Sequence, residues 1–110
     1  MSAEEIYQLA SSLATTGAGT VFKLPGWRMG AGPIAVQIYT TQATAFIGTV
    51  KLQGAIASET EIAANTATWT DIQGASWTEA AVDALYAKTP YIRAYISAYT
   101  SGQISVRLAY

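Results

Sequence analysis

Apolar and polar residues alternate most regularly between Tyr91 and Tyr110, where two runs of period two flank Thr100-Ser101-Gly102. Successive side chains on a strand point to opposite sides, so Ile92, Ala94, Ile96 and Ala98 share one face and Ile104, Val106, Leu108 and Tyr110 another. The spacing predicts a β-hairpin that joins these two faces, with Ala98 opposite Ile104 and Ile96 opposite Val106. A slip of one residue would send one aliphatic set to solvent. The loop left by this register has three residues and wants its last one in the left-handed region, which Gly102 supplies. The other face then carries Tyr91, Arg93, Tyr95, Ser97 and Tyr99 beside Gln103, Ser105 and Arg107, with phenols where a solvated sheet would carry Lys, Glu or Thr.

Upstream the same reading gives more strands. Ile34 to Tyr39 alternates with Ile34, Val36 and Ile38 inward, and a polar turn follows at Thr40 to Thr44. Phe46 to Gln53 places Phe46, Val50 and Leu52 on one face and Thr49, Lys51 and Gln53 on the other. Gly48, on the buried side, marks a bulge or a close neighbour. Thr20 to Leu24 reads as a short strand ended by Pro25-Gly26. Thr68 to Gln73 reads as another, anchored in the core by Trp69 and Ile72. Ala55 to Thr66 reads as a loop. Thr78 to Ala87 predicts one or two helical turns capped by Thr78, with Val82 and Leu85 facing in. Residues 1–14 support two readings: Ser2-Ala-Glu-Glu5 fits a capping box ahead of Ile6, Leu9, Ala10 and Leu13 on a helical face, while Tyr7, Leu9, Ser11 and Leu13 alternate as in a strand. Strands separated by turns at this spacing predict one all-β domain over 1–110, an antiparallel β-sandwich or jelly-roll-like fold, with residues 1–19 as an N-terminal arm or short helix.

Composition narrows the chemistry. At 110 residues the chain holds one core, burying roughly 65% of its unfolded surface. It has no Cys and no His, so thiolate sites, disulfides and the commonest general base are missing. A net charge of −1, with six scattered basic residues, argues against nucleic acid, whose phosphates call for clustered Lys and Arg. The acidic start and the lack of a long apolar run predict a soluble chain without a cleaved leader and without a membrane partner. Only 12% of residues are charged while 51% are hydrophobic. That balance fits an exterior partly covered in the working state, and equally an ordinary β surface rich in Ala and Thr.

No residue set defines a reaction. Gly30-Ala-Gly32, in the loop Gly26 to Pro33, lacks the strand-to-helix setting and the Lys of a phosphate-binding loop. Glu59, Glu61, Asp71, Glu79 and Asp83 show no pairing that would orient a catalytic dyad, and no Asp-rich loop offers a calcium site. The expectation is a non-enzyme without cofactor or metal. Trp27 in the glycine loop and the tyrosine face are candidates for sugar stacking or for a protein interface. Enrichment of Tyr, Trp and Arg at contact centres favours the interface, with cross-strand packing beneath a loop as the plain alternative. The candidate interface residues are Tyr91, Arg93, Tyr95, Tyr99, Arg107, Trp27 and Glu59.

The order of segments resembles a group of small tailed-phage virion proteins, of the capsid decoration or cement type. The likeness rests on Thr16-Gly-Ala-Gly19 with Leu24-Pro-Gly26, Val50-Lys-Leu-Gln-Gly54, Trp69-Thr-Asp-Ile72, and Pro90-Tyr-Ile-Arg-Ala94 followed by Tyr99-Thr-Ser-Gly102. It covers most of the chain through loose strand-and-turn motifs. Where that group has an Asn/Asp-Gly turn before the tryptophan strand, this chain has the longer excursion Ser58 to Ala67. The resemblance implies a β-sandwich on the capsid exterior, made in the host cytoplasm, that binds the major capsid protein and itself as a homodimer or homotrimer. Two other virion roles stay open: a carbohydrate-recognition module of a tail or fibre, and a tail-tube or head-completion subunit.

Overall fold

The computed structural model of the chain describes residues 6–25, 33–86 and 88–109. Its elements are β1 (Ile6–Leu13), β2 (Gly17–Ala18), β3 (Phe22–Lys23), β4 (Pro33–Tyr39), β5 (Ile47–Ala55), α1 (Glu59–Ala64), β6 (Thr70–Trp77), β7 (Ala81–Tyr86), β8 (Tyr91–Ser101) and β9 (Ile104–Ala109). They form an all-β sandwich. One sheet has the order β1-β9-β4-β7, and the other β2-β8-β5-β6 with β3 also on β8, all pairs antiparallel. Taking β2 and β3 as two pieces of one strand along β8, the chain changes sheet at every connection except β5 to β6. This is the eight-stranded jelly-roll arrangement.

The inward positions read from alternation are buried. Ile34, Val36 and Ile38 of β4 with Ile104, Val106 and Leu108 of β9 share a core with Val50 and Leu52 of β5 and Ile92, Ala94 and Ile96 of β8. Each large aliphatic side chain removed from water contributes about 1.5–3 kcal/mol, so these strands hold the sheets together. Residues 6–13 are strand, not helix. β1 is irregular, with Leu9 and Ala10 both buried, register shifts on either side of Ala10, and Ser12 at φ 51°. The Ser2 capping box lies outside the described residues.

The closing hairpin is overturned. β8 pairs with β5 on one side and with β2 and β3 on the other, while β9 pairs with β1 and β4. Ser101-Gly102-Gln103 therefore arches from one sheet to the other, and the two aliphatic faces meet across the sandwich. Alternation decides which side chains seek the core; two strands facing each other satisfy that demand as well as two strands side by side. Gly102 has the expected positive φ (88°), and a Cβ there would lie 2.7 Å from the Phe46 Cα.

Three further expectations change. Thr78 to Ala87 gives strand β7 instead of a helix: six consecutive residues pair with β4, so Leu85 turns to the core while Val82 is 73% exposed. In the expected loop, Ser58 caps α1, accepting from Glu61 N–H as Glu61 Oε1 accepts from Ser58 N–H. Trp69, expected as a core anchor, is half-buried and lies over an arginine on the outside of the second sheet, and Trp77 takes the core position.

The outer face of the second sheet as a candidate interface

Strand register builds this face. Arg93 on β8 stands opposite Gln53 on β5, which stands opposite Asp71 on β6; one step along, Tyr95 faces Lys51, which faces Ser76. The Arg93 Nε–H donates to Gln53 Oε1 at 2.9 Å, Gln53 Nε2 donates to Asp71 Oδ1 at 3.0 Å, and Lys51 Nζ meets Asp71 Oδ2 at 3.1 Å. The guanidinium carbon lies 4.4 Å from the Trp69 ring centroid and 5.6 Å from that of Tyr95. Contact with the two rings and an Nε bond fix a side chain that would otherwise sample many rotamers.

Charge follows from the same contacts. The hydrogen bond from Gln53, then that from Lys51, holds the Asp71 carboxyl below its ordinary value of 3.8. Burial lowers the pKa of the Arg93 guanidinium without discharging it. Lys51 and Asp71 offset each other. Arg93 has no carboxylate partner among the described residues, and its terminal nitrogens point to no acceptor there. The face thus presents a fixed, partly desolvated cation framed by aromatic rings.

The expected interface residues fall in different places. Arg93 and Tyr95 are on this face, half-buried. Tyr91 is buried, 6% exposed, opposite Ala55 and Lys23. Tyr99 has turned inward: β8 and β5 shift register between Ile96 and Ala98, so Ala98 is exposed and Tyr99 pairs with Gly48, packs on the core, and donates its hydroxyl to Gly102 O at 2.8 Å. Arg107 lies on the outside of the opposite sheet, where its Nε donates to Gln37 Oε1 at 2.8 Å and its guanidinium stacks 4.6 Å from Tyr39. Glu59 begins α1 and pairs with Lys23 Nζ at 2.6 Å; that hydrogen bond and charge lower the Glu59 carboxyl and raise the Lys23 ammonium. Trp27 and residues 26–32 of the glycine loop lie outside the described residues.

Sequence reasoning missed the roles of Gln53, Trp69 and Asp71. Alternation put Gln53 outward, but only the order β8-β5-β6 makes it the link between Arg93 and Asp71. An open cleft of about 660 Å³ between β6 and β7 is lined by both Asp71 and Asp83. These acids are already engaged, Asp71 as above and Asp83 with Trp77 Nε1–H at 3.4 Å and Ala84 N–H at 2.8 Å. Among the described residues no group of His, Cys, Asp and Glu is placed to hold a metal, and no helix is long and apolar enough to cross a membrane. Comparison with protein-family models, with characterised proteins and with solved structures gave no match.

Proposed function

We propose that this chain is a capsid decoration protein of a tailed phage, docking on the major capsid protein through the outer face of its second sheet and stabilising contacts between capsomers. The observation that carries this reading is Arg93: a guanidinium over the Trp69 ring, held by Gln53, and without a carboxylate partner among the described residues. Such a group is prepared to take a bidentate carboxylate from a partner, with the rings of Trp69 and Tyr95 shielding the pair from water. The class of partner comes from the resemblance of the segment order to small virion proteins. Jelly-roll sandwiches serve as viral capsid domains and as lectins alike, so the fold alone does not choose.

A glycan module is the rival. A sugar ring needs an open aromatic face, and one face of Trp69 is taken up by the guanidinium. Gel densitometry of the virions that carry this chain separates the roles: hundreds of copies per particle fit decoration, whereas a few copies overturn it in favour of a tail or head-completion subunit. Tryptophan fluorescence of the free protein titrated with sugars is the second arm; a saturable response would favour the glycan module.

A further inference from the structure

The outermost strand of the first sheet, β7, pairs only with β4 among the described residues, through six consecutive partners without a bulge. Its sequence Ala-Val-Asp-Ala-Leu-Tyr contains no Pro and no Lys, the residues with which open strand edges are usually blunted. Val82 is 73% and Tyr86 60% exposed, side by side with exposed Ala84 on the outer face. We infer that β7 is a self-association edge, and that two copies of this chain join by antiparallel β7–β7 pairing centred on Ala84.

Backbone direction selects the register. The Ala84 amide donates to the Asp83 carboxylate at 2.8 Å, so it faces away from β4. Alternate residues aim their backbone groups at opposite edges, so Val82, Ala84 and Tyr86 all present theirs to the open side. Pairing must match these residues with each other. The register that uses all three sets Ala84 against Ala84 of the second copy, and Val82 against Tyr86 of the second copy twice over. The two large exposed apolar side chains of the strand thereby cover each other, and the sheets fuse into one of eight strands. Asp83 is the single guard. Its carboxylate must release the Ala84 amide, and Trp77 Nε1–H, at 3.4 Å from its other oxygen, remains to hold it.

Five paired residues make a contact about 17 Å long and about 10 Å across, roughly 350 Å² over the two copies, which falls short of the ~1,000 Å² of a standing complex, so the pairing is reversible, with a dissociation constant of about 10 μM to 1 mM. The inference is independent of any capsid role and stands or falls without it. Sedimentation equilibrium from about 10 μM to 1 mM should show a monomer–dimer equilibrium, weakened about tenfold by Val82→Lys, which sets a charge against Tyr86, and strengthened by Asp83→Ala. Val82 is exposed, so Val82→Lys should keep the wild-type melting temperature. The chain has no Cys; a short thiol cross-linker should therefore couple Ala84→Cys into dimers far faster than Ser97→Cys, a control on the exposed far side. A monomer throughout the range, a dimer indifferent to Val82→Lys, or equal coupling of the two cysteine variants would overturn the inference.

Discussion

Arg93 and Gln53 face each other across β8 and β5, and the Nε–H bond between them, at 2.9 Å, holds the guanidinium carbon 4.4 Å from the Trp69 ring centroid. Arg107 and Gln37 repeat the arrangement on the opposite sheet, with Tyr39 as the ring. Both arginines are thereby held at Nε and over a ring. An ammonium cannot substitute, having neither the Nε donor nor a plane to stack. Arg93→Lys should cost about 1 kcal/mol in folding stability and alter tryptophan emission; the proposed capsid role further predicts at least tenfold weaker docking, as read by co-sedimentation with capsids.

Two tyrosines on one strand should behave oppositely. Tyr91 is buried, so Tyr91→Ala should cost about 3 kcal/mol in denaturant unfolding. Tyr95 is half-exposed beside Arg93, so Tyr95→Ala should cost under about 1 kcal/mol while reducing docking. Equal losses of stability would place Tyr95 among the structural residues.

Acid should loosen the network around Asp71. Its folded pKa is lowered by Gln53 and Lys51, so its stabilisation is complete above the ordinary aspartate range and is lost as pH falls through the lowered folded value. Unfolding curves of the wild type and of Asp71→Asn should differ by a constant amount at neutral pH and converge as pH drops below 3.8.

Gly48 is required by its neighbour. A Cβ there would lie 2.6 Å from the Ala98 carbonyl oxygen, a backbone atom that cannot swing aside. Gly48→Ala should destabilise the fold by about 1–3 kcal/mol, measured by thermal unfolding, although alanine is otherwise the better strand residue.

Which side chains turn inward was legible on β4, β5, β8 and β9, because period-two burial is a local property. Gly48 was legible for the same reason, as a gap on a buried face. Pairing partners were not: Ile96 opposite Val50, instead of Val106, depends on strand order across the whole chain. The register shift after Ile96 reversed Tyr99 without a mark in the sequence. Thr78 to Ala87 read as helix because Val82 and Leu85 fit a helical stripe; pairing with β4 outweighed that weak propensity. Ser58 and Glu61 carried the capping signal read only at Ser2, and so α1 was missed. Within the candidate site Arg93 and Tyr95 were visible as outward residues, while Trp69 and Gln53 joined them only through long-range pairing.

The arch at Gly102 bears on biosynthesis. Because it delivers β9 between β1 and β4, the first sheet has no centre until Ile104–Ala109 has left the ribosome. During translation β1 and β4 wait with bare ladders, and β7 can add only to β4. A nascent chain stalled before Ile104 should thus be a chaperone substrate, and emergence of Ile104–Ala109 should trigger folding of the whole jelly roll.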